Sequence, residues 1–121
     1  MAVILIVEDD GLTRVLAEMM IQDWGYETLS ASDVDEALTH LRSREKIDAL
    51  FTDIYLKAAV LGGCELAQHA VKLRPELRVL YTTGNFVDDE MKDLFVAGTE
   101  CLRKPYTQDQ LKDSVAHMIA A

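Results

Sequence analysis

A chain of 121 residues has the length of one compact domain with a single hydrophobic core. Its 21 acidic residues outnumber the 12 basic ones and give a formal charge of −9, which argues against direct binding to nucleic-acid phosphates. No apolar run is long enough to span a membrane and no positively charged leader precedes the first one, so we expect a soluble, cytoplasmic protein without membrane insertion.

Apolar runs that are typical of buried strands alternate with segments of helical period along the whole chain. The predicted strands are Val3–Val7, Tyr26–Ser30, Ile47–Thr52, Leu77–Thr82 and Glu100–Arg103. Strands that alternate with helices predict a parallel sheet covered by helices on both faces. We therefore expect one α/β domain over residues 1–121, with a flavodoxin-like three-layer fold of five βα units and the strand order 2-1-3-4-5.

The helices are predicted from apolar spacing and from capping residues. In the first helix, apolar residues at i, i+3, i+4, i+7 and i+8 predict the buried face: Leu12, Val15, Leu16, Met19 and Met20. Two pairs with the spacing of a capping box predict the starts of the second and last helices: Asp33 with Glu36, and Thr107 with Gln110. A third helix is expected to end before Pro75, and a fourth to cover Val87–Ala97.

Polar side chains stand at the ends of strands one, three, four and five. In chain order they are Glu8, Asp9, Asp10, Asp53, Thr82, Thr83 and Lys104. In open parallel sheets, ligands bind beyond the carboxyl ends of the strands. Because strands one and three are neighbours in the predicted order, Asp53 is expected beside Asp9 and Asp10.

Carboxylates that lie close together repel one another unless a cation joins them. A pair about 4 Å apart repels by roughly 1 kcal/mol in water and by about 4 kcal/mol at an effective dielectric constant of about 20. Mg²⁺ binds through one or two carboxylates, water and often a phosphate, so the acidic run and Asp53 predict a magnesium site. A carboxylate held there can itself attack a phosphoryl donor and form an aspartyl phosphate. The Lys104 ammonium and the Thr83 hydroxyl are candidates for contacts to the phosphoryl oxygens.

Four motifs, EDD, FTDIY, TTGN and RKPY, stand in this order at the predicted strand ends, and with them the chain resembles the receiver domains of two-component response regulators. The resemblance implies that Asp53 accepts phosphate from a phosphohistidine on a sensor histidine kinase or a histidine phosphotransfer protein. It also implies that Asp9 or Asp10, Asp53 and the backbone carbonyl of Tyr55 hold Mg²⁺. Thr83 and Lys104 would contact the phosphoryl group, and phosphorylation would control binding to a downstream protein. The Lys104–Pro105 peptide bond is expected to be cis.

The chain departs from the usual pattern of this family at two places. Receivers usually carry Tyr or Phe three residues before the lysine, where this chain has Cys101. Because Cys101 is too small to act as the usual aromatic switch, we expect another route for the signal, with Tyr81 or Tyr106 as candidate substitutes. Lys57 stands where family members often have Pro.

Other interpretations of the same residues stay open at this point. Asp9 and Asp10 can instead stabilise the start of a helix, where carboxylates are favourable. An α/β phosphatase with an aspartate nucleophile is a second candidate, although such enzymes generally need an acid two residues further on, where this chain has Tyr55. A flavodoxin-like cofactor module and a receiver without activity are further candidates, as are a stand-alone regulator and a receiver within a larger protein. We expect a phosphoacceptor switch, not an enzyme.

Overall fold

The computed structural model describes residues 1–56, 62–85 and 87–120. Lys57, at which the sequence departs from the receiver pattern, lies outside these residues. Ten elements alternate along the chain: β1 (Val3–Val7), α1 (Gly11–Asp23), β2 (Glu27–Ala31), α2 (Val34–Arg42), β3 (Ala49–Asp53), α3 (Gly62–Leu73), β4 (Arg78–Thr83), α4 (Asp89–Lys92), β5 (Glu100–Arg103) and α5 (Gln108–Ala120).

The strands form one sheet with the order β2-β1-β3-β4-β5, and every pair of neighbours is parallel. The predicted fold class and strand order are therefore confirmed. β1 and β3 lie side by side, with Val7 opposite Thr52, so both strands deliver the residues that follow them to the same edge. β3 and β4 end a residue later than predicted, which makes Asp53 and Thr83 the last residues of their strands.

Two apolar clusters, one on each face, explain why the central strands are buried. Alternate residues of a strand point to opposite faces, so Leu5 belongs to one cluster and Ile4 to the other. The first cluster includes buried residues of α2 and α3, and the second includes buried residues of α1 and α5. Because both faces of β1 and β3 are buried, all of β1 and the first three residues of β3 form continuous apolar runs, as in parallel sheets generally.

Capping residues start the helices at the predicted places. The Asp33 carboxylate accepts a hydrogen bond from the Glu36 N–H at 2.8 Å, which satisfies a backbone donor in the first turn of α2. Thr107 and Gln110 form the predicted reciprocal pair, because each backbone N–H donates to the side chain of the other residue, at 2.8 and 3.1 Å.

The predicted buried face of α1 is wrong. Leu12 is 70% exposed and Met19 is 57% exposed, whereas Ala17 and Ile21 are buried against the sheet. The helix carries two apolar stripes of equal spacing, because Ala17, Met20, Ile21 and Trp24 also follow the i, i+3, i+4, i+7 pattern. Periodicity alone does not distinguish these stripes, and only the packing against the second cluster selects one of them.

The helix predicted over Val87–Ala97 is also wrong in its extent, because α4 covers only Asp89–Lys92. After α4 the backbone continues in tighter turns, with the Phe95 N–H donating to the Lys92 carbonyl at 3.1 Å. Side chains of other elements bind two further backbone groups of this segment. The Tyr81 hydroxyl accepts from the Val96 N–H at 3.0 Å, and the Gln68 amide donates to the Leu94 carbonyl at 2.8 Å.

Among the helices of the described residues, none combines the length and the apolar character that a membrane span requires.

The orientation of α1 predicts opposite results for two truncations on the same helix. Ile21→Ala removes a fully buried side chain and is expected to lower the free energy of unfolding by about 2–5 kcal/mol. Met19→Ala removes a mostly exposed side chain and is expected to change it by less than about 0.5 kcal/mol. Urea denaturation of the two variants measures the difference, and equal losses would show that the helix is rotated from this orientation.

Candidate functional site

Three carboxylates meet at the carboxyl edge of the sheet. Glu8 and Asp9 follow β1, Asp53 ends β3, and one oxygen atom from each of the three lies within 4.8 Å of the others. Glu8 is only 4% exposed and Asp53 only 6%. Burial of a carboxylate is costly unless it is paired or bound to a cation, so this edge requires positive charge.

Lys104 supplies part of that charge. Its ammonium donates a hydrogen bond to Asp53 Oδ2 at 2.8 Å and another to Glu8 Oε1. The Lys104 N–H donates to the Thr83 carbonyl at 2.8 Å, so the backbone continues the pairing of β5 with β4 and brings the side chain to the edge. The Lys104–Pro105 peptide bond is cis, as predicted.

The pKa values of this cluster reflect burial and ion pairing. Burial raises the pKa of Glu8 above its usual value, although the hydrogen bond from Lys104 acts in the opposite direction. Burial alone would lower the pKa of Lys104, but the hydrogen bonds and charges of Asp53 and Glu8 outweigh it and leave the pKa raised. Lys104 is therefore a permanent cation near neutral pH.

One lysine does not neutralise three carboxylates. With Glu8, Asp9 and Asp53 ionised and Lys104 protonated, these four side chains sum to a formal charge of −2, and the Arg14 guanidinium, which donates to the Glu8 carbonyl at 2.9 Å, adds a second positive charge beside them. Its donors are carboxylate oxygens, which are the ligands that hard divalent cations prefer. The donor set and its charge thus fit Mg²⁺.

Asp10, predicted as a metal ligand, has another role in the structure. Its carboxylate accepts hydrogen bonds from the Thr13 N–H at 2.9 Å and from the Thr13 hydroxyl at 2.5 Å, and it thereby caps α1. Among the described residues, the group of neighbouring carboxylates contains Glu8 instead. The Asp10 N–H donates to Glu8 Oε2 at 3.1 Å. The spacing of Asp10 and Thr13 was a signal for this cap in the sequence.

The backbone after β3 holds Asp53 from the side opposite Lys104. The Tyr55 N–H donates to Asp53 Oδ1 at 3.1 Å, so the two carboxylate oxygens have different partners. Gly63, in the first turn of α3, lies against this segment and donates its N–H to the Ile54 carbonyl at 2.9 Å. A Cβ at position 63 would stand 1.9 Å from the Asp53 carbonyl oxygen, so only glycine allows this close approach.

Thr83 is buried at the end of β4, one residue after Thr82, which pairs with Asp53. Its hydroxyl oxygen accepts a hydrogen bond from the Asn85 N–H at 3.1 Å. The structure thus places Thr83 on the strand next to Asp53 and Lys104 on the residue after β5, as the sequence predicts. Their contacts to a phosphoryl group stay predictions.

Cys101 lies opposite Tyr81 in the β4–β5 pair. Tyr81 is fully buried, its ring centroid lies 4.3 Å from that of Phe95, and its hydroxyl accepts from the Val96 N–H. Burial raises the pKa of Tyr81 to about 12 and that of Cys101 to about 11. Tyr81 therefore connects β4 to the segment between α4 and β5; its part in signalling stays a prediction, as does that of Tyr106.

Comparison with known proteins identifies the class to which this fold and this site belong. The chain matches the response regulator receiver domain over residues 4–116. A response regulator receiver protein from Sinorhizobium medicae is similar with a TM-score of 0.90 and 26% identity, over 99% of this chain and 95% of that one. The receiver domain of the hybrid histidine kinase CckA has a TM-score of 0.80 and 26% identity, over 98% of this chain and 99% of that one.

Curated relatives contain the same domain within longer proteins. The sensor histidine kinase RcsC of Salmonella typhi is 32% identical over 114 residues, which cover 93% of this chain and 12% of that protein. The nitrogen assimilation regulatory protein NtrX of Azorhizobium caulinodans is 28% identical over 109 residues, which cover 89% of this chain and 24% of that protein. The chain thus spans a quarter or less of the length of these two relatives.

The chain belongs to the response regulator receiver domain family. It is a receiver of two-component signalling, a class of domains that accept a phosphoryl group.

The packing of α3 against the end of β3 predicts that Gly63→Ala is strongly destabilising. The new Cβ would overlap the backbone of Asp53 and Ile54, which must move, at a cost of at least about 1–3 kcal/mol in the free energy of unfolding. Gly11→Ala is the matched control, because its Cβ would meet only Arg14 Nη2, at an ordinary 3.8 Å. Urea denaturation of both variants measures the costs; a Gly63→Ala variant as stable as Gly11→Ala would contradict the close approach.

The environment of Tyr81 predicts a specific alkaline loss of stability. Its pKa is raised from 10.0 to about 12, so the folded state keeps a proton that the unfolded state releases. The contribution of the protonated Tyr81 hydroxyl to the free energy of unfolding is fully present below pH 10 and is lost as the pH rises through about 12. The stability advantage of the wild type over Tyr81→Phe, measured by urea denaturation, should therefore decrease over this range. A constant difference would contradict the prediction.

Proposed function

We propose that Asp53 is the phosphoacceptor of this receiver. The observation that carries the proposal is the pair of contacts on its carboxylate, with Lys104 on one oxygen and the Tyr55 N–H on the other. A carboxylate whose charge is fully neutralised would be a poor nucleophile. Lys104 does not neutralise Asp53 fully, because the carboxylates of Glu8 and Asp9 lie beside it. The excess negative charge favours a divalent cation at the point where phosphate must arrive.

We further propose that Asp9 and Asp53, with the backbone carbonyl of Tyr55, hold Mg²⁺, and that Glu8 completes the acidic edge. Asp10 is not carried into this set, because its carboxylate caps α1. When bound, Mg²⁺ supplies positive charge to a phosphoryl oxygen. The fit rests on the oxygen donors of the cluster and on the excess of its carboxylates over the neighbouring cations Lys104 and Arg14.

The transfer from a phosphohistidine requires little besides position and charge. An Asp53 oxygen forms a bond to phosphorus while the bond from phosphorus to the histidine nitrogen breaks, and the imidazole leaves with the electron pair of that bond. Lys104 already contacts Asp53, so a short movement of its ammonium reaches an oxygen of the new phosphoryl group. The Thr83 hydroxyl, at the end of the neighbouring strand, is the proposed donor to another oxygen.

The proposed partners are a sensor histidine kinase or a histidine phosphotransfer protein as donor and a downstream protein as target, in the cytoplasm. Residues 1–121 would form one receiver domain that catalyses its own phosphorylation and dephosphorylation and has no separate enzymatic activity. Both a stand-alone regulator and a receiver within a longer protein agree with this proposal, since relatives of this chain include a sensor kinase and a regulatory protein. An aspartate phosphatase is disfavoured because residue 55 is Tyr.

Incubation with acetyl phosphate and Mg²⁺ tests the acceptor. The intact mass of the wild type should increase by one phosphoryl group, whereas Asp53→Asn, which lacks the nucleophilic oxygen, should keep its mass. Asp113→Asn, on the exposed side of α5, is the matched control and should be modified like the wild type. Modification of Asp53→Asn to the same extent would assign the acceptor to another residue, and continuous hydrolysis of a phosphate ester dependent on Asp53 would favour the phosphatase.

A further inference from the structure

Thr82 is a buried polar residue that the proposed phosphoryl chemistry does not use. It lies on β4 opposite Asp53 and is only 3% exposed. Within residues 1–56, 62–85 and 87–120, its hydroxyl is without a hydrogen-bond partner. A hydroxyl removed from water without a partner is destabilising, so native proteins rarely leave one unsatisfied.

The Thr82 side chain lines a small cavity between the sheet and α1. The space open to the centre of a water molecule there is about 10 Å³, which is close to the minimum for one water. Three further residues with polar side-chain groups line this cavity, Glu8, Thr13 and Tyr106, and its other walls include the apolar side chains of Ile6 and Phe51. An internal water typically makes two to four hydrogen bonds, and Thr82, Thr13 and Glu8 can supply three of them.

We propose that one internal water occupies this cavity and connects Thr82 with Thr13 and Glu8. The Thr13 hydroxyl already donates its hydrogen to Asp10 Oδ2, so it can only accept from the water. The Glu8 carboxylate is also an acceptor. The water therefore donates its two hydrogens to Thr13 and Glu8 and accepts one from the Thr82 hydroxyl, which satisfies the orphaned group.

This water gives Thr82 a positioning role at the acidic edge. It links β4 to Glu8 after β1 and to the first turn of α1, where Thr13 also holds Asp10. Glu8 is thereby held by Lys104 and the Asp10 N–H on its carboxylate and, from the sheet side, by the water. The inference stands on the cavity and the hydroxyl, and it does not require that Asp53 be the phosphoacceptor.

Thr82→Val tests the water through the sign of its effect on the melting temperature. Valine keeps the shape and the β-branching of threonine and removes only the hydroxyl. If the water is bound, the variant loses a hydrogen bond and melts at a lower temperature; if the hydroxyl is orphaned, removing it raises the melting temperature or leaves it unchanged, which overturns the proposal.

Thr52→Val is the matched control for this measurement. Thr52 is equally buried, on the neighbouring strand, and its hydroxyl has a protein partner, since it donates to the Asp53 carbonyl at 3.0 Å. The melting temperature of Thr52→Val therefore shows how large a decrease follows when a hydrogen-bonded hydroxyl is removed. A crystal structure of the wild type should also show density for one water in the cavity, and a dry cavity would overturn the proposal.

The positioning role is tested by Mg²⁺ affinity, with Mg²⁺ alone as the probe. Thr82→Val should bind Mg²⁺ several-fold more weakly than the wild type, and Thr82→Ser, which keeps the hydroxyl, should restore the affinity. Equal affinities in the wild type and Thr82→Val would overturn the positioning role. Absence of Mg²⁺ binding in the wild type itself would instead refute the proposed metal site, while the melting temperatures would still decide whether the water is bound.

Discussion

Mutual repulsion among three carboxylates at one sheet edge is the constraint on which the site depends. Glu8, Asp9 and Asp53 are brought within 4.8 Å because β1 and β3 are parallel neighbours. Lys104 offsets part of their charge through two ion pairs, which raise its pKa despite burial. The three carboxylates still outnumber the neighbouring cations Lys104 and Arg14, so the site is suited to a divalent cation, and through it to a phosphoryl group.

The apolar strands supply the rigidity that this arrangement needs. Residues of β1 and β3 pack into both clusters, so the backbone that carries the carboxylates cannot move without disturbing the core. Gly63 brings α3 directly against Asp53, and Tyr81 fixes the segment before β5, which leads to Lys104. Thus each charged residue of the site follows or ends a well-packed strand. Because residue 101 is Cys, Tyr81 is the large aromatic residue of the β4–β5 pair.

Much of this structure could be predicted from the sequence, because strand alternation and the polar residues at strand ends are local signals. The fold, the strand order and the meeting of Asp53 with Asp9 followed from them. The proximity of Glu8, and not Asp10, to Asp9 and Asp53 did not, because adjacent carboxylates differ only in the direction that the backbone gives them. The exposed stripe of α1 and the short α4 depended on contacts between distant residues, such as the one from Tyr81 to Val96, which no local pattern contains.

The most direct measurement is the melting temperature of three proteins with increasing Mg²⁺: the wild type, Asp9→Asn and Asp10→Asn. A ligand at 100 times its dissociation constant stabilises a fold by about 2.7 kcal/mol. Because asparagine also caps helices well, Asp10→Asn should keep its cap and respond to Mg²⁺ like the wild type, whereas Asp9→Asn should lose the response. Loss of the response in Asp10→Asn and its retention in Asp9→Asn would contradict the proposed cation site.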